Sequence, residues 1–139
     1  MFTMKYAEEK DISVCKMLDS HISDAELAWK LREHRYYILS DGETPIGVLR
    51  YNLFWDSVPF LTLIFIEESC RGRGYGRMAM ARWEDEMRAA GHGMVIISTQ
   101  ADEDAQHFYR KLGYHDAGGF VVDVPGYEQP LELFLTKAL

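Results

Sequence analysis

Only two cysteines, Cys15 and Cys70, occur in 139 residues, and neither has companions at the spacings of a zinc site or a disulfide scaffold. Both are expected as reduced thiols, and no metal cofactor is implied. Prolines number four, and no Pro/Gly/Ser-rich linker, low-complexity tract or internal repeat interrupts the chain, which reads as a single domain over residues 1–139. No apolar run approaches the roughly 20 residues needed to cross a bilayer, and the first ten residues lack a secretory apolar core. No membrane partner is expected, and a cytoplasmic location follows by default. Positive charge is also scarce: 15 Lys and Arg stand against 22 Asp and Glu, a net of -7. That balance opposes the phosphate attraction behind non-specific nucleic-acid binding, so no nucleic-acid partner is expected.

Hydrophobic residues make up 47% of the chain and aromatics 13%, a composition for a packed core rather than a disordered tail. The patterning predicts short helices over Asp11 to Leu18 and Ser23 to His34, the second with Leu27 and Leu31 at helical spacing. Arg35 to Ser40 and Ile46 to Phe54 read as strands around Asp41-Gly42, a pair suited to an antiparallel hairpin. Phe60 to Ile66 is apolar on both faces and reads as the central strand. A helix to about Gly91 follows, with Ala79, Met80, Trp83, Met87 and Ala90 on its apolar face. Met94 to Ser98 is a second buried strand. Ala105, Phe108, Tyr109 and Leu112 share a helical face that Gly113 terminates, and Tyr114 to Val122 and Leu131 to Thr136 close the sheet. Strand, glycine loop, helix and strand in succession imply a right-handed crossover, which makes Phe60 to Ile66 parallel to Met94 to Ser98.

The segment Arg71-Gly72-Arg73-Gly74-Tyr75-Gly76 concentrates glycine and positive charge in an acidic chain, and Arg77 adds a third guanidinium. Glycines let a backbone approach a ligand closely, and a following helix points unpaired N–H groups at it, the arrangement that binds a pyrophosphate. A Walker loop would need Gly-Lys-Ser/Thr, which is absent. The dinucleotide fingerprint would need glycine where Arg77 stands. ATPase and nicotinamide readings are therefore disfavoured.

Arg71, Gly74 and Gly76 resemble motif A of the GNAT superfamily of N-acetyltransferases. Ala105, Tyr109 and Lys111-Leu112-Gly113-Tyr114 are similar to that family's later block. The resemblance implies a mixed α/β (α+β) fold: a mostly antiparallel sheet with one parallel strand pair, in the order β-α-α-β-β-β-α-β-α-β-β. It implies acetyl-CoA as cosubstrate, with main-chain groups from Arg71 to Gly76 and neighbouring Arg77 on the pyrophosphate and those of Ile64, Phe65 and Ile66 on the pantetheine arm. Tyr109 matches the family's candidate acid. Between ordinary values of about 8.5 for a thiol and 10 for tyrosine, full proton donation is uphill by about 2 kcal/mol, so a hydrogen bond to sulfur is its more economical contribution. Its other reading is a tyrosine on a buried helical face. Glu67 and Glu68, ending the central strand, read either as a general base or as solvated charges. Asp102 stands where the family frequently has asparagine, and reads as a pantetheine contact or a helix cap.

The implied reaction is transfer of an acetyl group to a primary amine of a small molecule or peptide by direct attack. The alternative is an acyl-CoA-binding sensor module without turnover. Trp29, the Trp55-Asp56 turn and Val124 to Gln129 are candidate walls for the acceptor. Many family members dimerise, so the resemblance also allows a homodimer.

Overall fold

The computed structural model describes all of residues 1–139. The elements are strand β1 (Phe2–Tyr6), helices α1 (Ile12–Leu18) and α2 (Asp24–Arg32), strands β2 (Tyr36–Asp41), β3 (Thr44–Phe54) and β4 (Val58–Ile66), helix α3 (Tyr75–Ala89), strand β5 (Met94–Gln100), helix α4 (Ala105–Lys111), and strands β6 (His115–Phe120) and β7 (Glu132–Ala138). The strands form one seven-stranded sheet, ordered β1-β2-β3-β4-β5-β7-β6, so β4 is central as its two-sided apolarity predicts. β4 and β5 are the parallel pair, with Phe60 opposite Ile96 and Leu61 opposite Ile97.

Several boundaries differ from the sequence pattern. The residue pattern placed no strand ahead of the helices, yet Phe2 to Tyr6 pairs antiparallel with β2 from Phe2↔Asp41 to Tyr6↔Tyr37. Phe2, Met4 and Tyr6 do alternate with Thr3 and Lys5, but over five residues only, and pairing with β2 is what makes the segment a strand. α2 ends at Arg32, because His34 adopts a left-handed φ of 57° that no helix accommodates. α3 ends at Ala89 ahead of Gly91 with φ of 96°, which leaves Ala90 exposed instead of on the apolar face.

Two compact units are built from these elements: Met1–Asn52 with Thr62–Glu86, and Leu53–Leu61 with Met87–Leu139. In the first, β2 is buried on both faces, because side chains alternate across a strand and each side meets a helix. Tyr36 and Ile38 join Cys15, Leu18, Leu27 and Val48 in a core beneath α1 and α2. Tyr37, on the opposite side, stacks on Tyr51, which packs against Trp83 of α3, and its hydroxyl donates to Glu86. The core beneath α1 also holds charge. Arg50 Nε donates to Asp19 Oδ2 at 2.8 Å, Tyr36 OH donates to the same oxygen at 3.0 Å, and Arg50 Nη1 reaches Thr62 Oγ1 at 3.2 Å.

In the second unit, β5 pairs antiparallel with β7 from Met94↔Ala138 to Gln100↔Glu132, and β7 pairs with β6. Val95, Ile97 and Leu135 are fully buried. β3 and β4 are joined by a tight turn in which Trp55 and Asp56 have φ of 56° and 60°, the primed geometry that suits a twisted hairpin. α4 ends in a Schellman motif: Gly113 (φ 95°) donates to Arg110 and Tyr114 donates to Tyr109. Gly113 is thus the stop its sequence position predicts.

Lys30 of α2 is only 2% exposed, and its Nζ donates to the Tyr51 carbonyl at 2.9 Å and to Asn52 Oδ1. Burial, then the nearby Arg50 charge, lowers its pKa from 10.5 to about 8. The unfolded chain therefore binds more protons than the folded one between those values, so this group adds stability as pH rises through 8. Cys15, raised from 9.0 to about 11 chiefly by burial, acts in the opposite direction above pH 9. Chemical denaturation of the wild type and Lys30→Met should show the wild type gaining about 1 kcal/mol relative to the variant between pH 8 and pH 9. A constant difference across that window would show that the ammonium is not desolvated.

Candidate functional site

Beyond Ile66 the chain passes through a 3-10 turn, Glu68–Cys70, and enters α3 at Tyr75. Between them Gly72 and Gly74 have φ of 78° and 85°. That region costs a residue with a Cβ roughly 1–2 kcal/mol. An added Cβ at either glycine would meet nothing within 4 Å, so conformation rather than crowding requires glycine, and the space over the loop is open.

The first hydrogen bond of α3 runs from Met78 N–H to the Gly74 carbonyl at 3.1 Å. The amides of Gly74, Tyr75, Gly76 and Arg77 precede it and have no intrahelical acceptor. α2 shows how the same chain covers such an end: Ser23 Oγ accepts from Glu26 N–H at 3.2 Å, and Asp24 and Glu26 lie in the first turn. α3 has glycine before its first residue, no acidic residue in its first turn, and Arg77 instead. A cation there opposes the helix dipole, whereas an anion would be stabilised by it. With Arg73 and Arg77 both exposed, the helix start carries positive charge and suits an anion.

Arg71 is used differently. Its Nε donates to the Ile66 carbonyl at 2.8 Å, and its guanidinium lies over the Phe65 ring at 5.6 Å, so it braces the exit from β4. Phe65 turns its carbonyl toward β3, where a side chain on Gly47 would collide with it, and Glu67 N–H donates to Ile46 of the same strand at 2.8 Å. Alternate residues of a strand direct their main-chain groups to opposite edges, so those of Ile64 and Ile66 face away from β3. Arg71 already occupies the Ile66 carbonyl. Of Ile64, Phe65 and Ile66, then, the main chain of Phe65 faces β3 and that of the other two faces away from it.

Glu67 is half-buried and Glu68 exposed. Tyr109, in the second unit, is 7% exposed, and burial followed by the Glu103 charge pushes its hydroxyl up to about 12. Asp102 is exposed and does not cap α4. Asp104 holds that position without a side-chain bond, and Gln106 Nε2 secures the turn by donating to the carbonyls of Ala101 and Glu103. Of the candidate acceptor walls, Trp29 carries the Arg35 guanidinium over its ring at 4.8 Å, and Trp55 is 75% exposed. A cavity of about 420 Å³ beside β1, β2 and α1, lined by Lys5, Asp11 and Glu43 among others, includes none of the candidate site residues.

One contact had no sequence signal. Tyr75 donates its hydroxyl to Asp41 Oδ2 at 2.7 Å, which joins the glycine loop to the β2–β3 hairpin.

Residues 5–114 match the family model described as Acetyltransferase (GNAT) family. An IAA acetyltransferase of Azospirillum brasilense is 39% identical over 79 residues, covering 55% of this chain and 48% of that protein. The chain thus spans about half the length of that relative. Among solved structures, the ribosomal-protein-S18-alanine N-acetyltransferase from Escherichia coli superposes with a TM-score of 0.83 at 17% identity, over 99% of this chain and 94% of the other. Arabidopsis thaliana Naa50, in complex with the bisubstrate analogue CoA-Ac-MVNAL, gives 0.83 at 14% identity over 99% of both chains.

Gly74→Glu places a carboxylate over the leading amides of α3. It is expected to abolish coenzyme A binding in calorimetry while circular dichroism still reports a folded chain. Unchanged affinity would remove this loop as the anion site.

Proposed function

The chain belongs to the acetyltransferase (GNAT) family, and on that premise we propose that it moves the acetyl group of acetyl-CoA to a primary amine of a small molecule or peptide by direct attack. The observation that carries this reading is the start of α3, where amides without intrahelical acceptors, left-handed glycines and two exposed guanidiniums coincide. In this reading the amides of residues 72–77 hold the diphosphate, and Ile64 and Ile66 align the pantetheine arm. The coenzyme's contribution is an acyl group activated as a thioester.

Acetyl transfer forms a C–N bond, breaks a C–S bond, and requires the attacking nitrogen to lose a proton. We assign Glu67, at the end of β4, to that proton, with ordered water as relay. Tyr109 is assigned to the departing sulfur. With its hydroxyl at about 12 and a thiol at about 8.5, complete proton transfer is uphill by roughly 5 kcal/mol, so Tyr109 acts by donating a hydrogen bond. Asp102 is exposed, and a carboxylate accepts where asparagine can also donate, so we give it no pantetheine contact.

The acceptor is set by neither fold nor charge alone. The relatives' names span an alanine of a ribosomal protein and IAA, and the Arabidopsis complex carries a peptide-bearing analogue. A net charge of -7 favours a cationic amine, which includes peptide N-termini, lysine side chains and polyamines.

A panel of amines and peptides incubated with acetyl-CoA, read by release of free thiol, tests the reading. Release with at least one amine is expected, together with a rise in melting temperature on adding acetyl-CoA. A thermal shift without release from any amine would favour the sensor module. For the amine found, Tyr109→Phe should lower kcat about 100-fold with little change in KM for acetyl-CoA. An unchanged kcat would return Tyr109 to a packing role.

A further inference from the structure

We infer that Asp41 and Tyr75 are positioning residues: their hydrogen bond anchors the glycine loop in the conformation that receives the diphosphate. This inference rests on the reading of that loop given above and adds what holds it in shape.

A loop with glycine at positions 72 and 74 is expensive to order, because glycine loses more conformational freedom than any other residue. Gly72 and Gly74 have no neighbour within 4 Å of where a side chain would begin, so packing at those residues does not hold them. The loop is instead secured at its two ends. At the first, Arg71 bonds the Ile66 carbonyl and covers Phe65, as described above. At the second, the Tyr75 ring stacks on Phe2 with centroids 5.8 Å apart, and its hydroxyl reaches Asp41 Oδ2 at 2.7 Å.

Phe2 and Asp41 are cross-strand partners in the β1–β2 ladder. Tyr75 therefore grips a single rung of the sheet with both its ring and its hydroxyl. The other Asp41 oxygen takes the Met1 ammonium at 2.8 Å, and Arg73 adds its charge nearby. The hydrogen bonds to the ammonium and to Tyr75 hold the Asp41 carboxyl below its ordinary range, so it stays an ionised acceptor. Gly42, with φ of 61°, completes the turn that presents Asp41. Ordering the loop before the ligand arrives removes that entropy from the cost of binding, which is how an anchor remote from the ligand raises affinity.

The test is coenzyme A titrated calorimetrically into the full-length wild type, Tyr75→Phe, Asp41→Asn and the double variant. It is paired with hydrogen exchange of residues 71–77 in the ligand-free proteins. Tyr75→Phe keeps the ring stacking and loses only the hydroxyl, so the fold is retained. It should weaken coenzyme A about five- to tenfold, the loss typical of one solvent-exposed hydrogen bond, and speed exchange in 71–77 while the rest of the chain is unchanged. Asp41→Asn should fall between it and the wild type, and the double variant should lose clearly less than the two single losses combined, because both remove the Tyr75–Asp41 bond. Wild-type affinity in Tyr75→Phe overturns the anchor. Weakened binding with unaltered exchange also overturns it, since the hydroxyl would then act on the ligand directly. If the wild type itself fails to take up coenzyme A, the diphosphate reading of the loop falls, and the positioning role falls with it.

Discussion

The N–H groups at the start of a helix must be satisfied by something, and the residue that precedes α3, Gly74, has no side chain with which to cap it. Glycine in place of a capping side chain costs a few tenths of a kcal/mol, and Arg77 placed against the positive end of the dipole adds to that. The chain avoids the same cost in α2 with Ser23, Asp24 and Glu26. Around α3 the surrounding parts are arranged to keep the amides open: two left-handed glycines remove side chains from above them, and β4 delivers the loop from the middle of the sheet. A helix start left in this condition is the constraint from which the proposed function follows.

Arginine serves three ends within seven residues. Arg71 turns back on β4 and acts as a brace. Arg73 lies near Asp41 and Tyr75, where the loop meets the β1–β2 ladder, and Arg77 stands exposed at the helix start. The positive patch is thus partly structural, and the charge left for a ligand is smaller than three guanidiniums suggest. Main-chain amides consequently carry more of the proposed diphosphate site than side chains do.

The first unit also buries charge away from the loop. Asp19, with a side chain 1% exposed, is held by Arg50 and Tyr36, and Lys30 is held by a carbonyl and an amide oxygen of β3. Buried ion pairs add little net stability against apolar replacements of the same shape, but losing one partner is severe. Their consequence is geometric: α1 and α2 have defined attachment points on β2 and β3 instead of sliding over an apolar surface. In the second unit, burial does the comparable work on Tyr109, keeping its hydroxyl protonated far above neutrality and making it a donor.

Local chemistry settled much of this protein. Hydrophobic periods placed most helices and strands, Asp41-Gly42 and Gly113 marked turns that the backbone confirms, and Arg71 to Gly76 stood out because glycine and positive charge coincide there in an otherwise acidic chain. Those features are encoded within a few neighbouring residues, where sequence spacing and spatial spacing agree. β1 offers only one short apolar–polar alternation, Phe2 to Tyr6, and an edge strand this short acquires its identity from its partner β2. The division of labour among the arginines, the orientation of the Ile64 to Ile66 main chain, the burial that raises Tyr109 and the contact between Asp41 and Tyr75 depend on residues brought together from distant parts of the chain. Only folding fixes those distances, and hydrogen bonds and desolvation depend on distance in space, not on separation along the sequence.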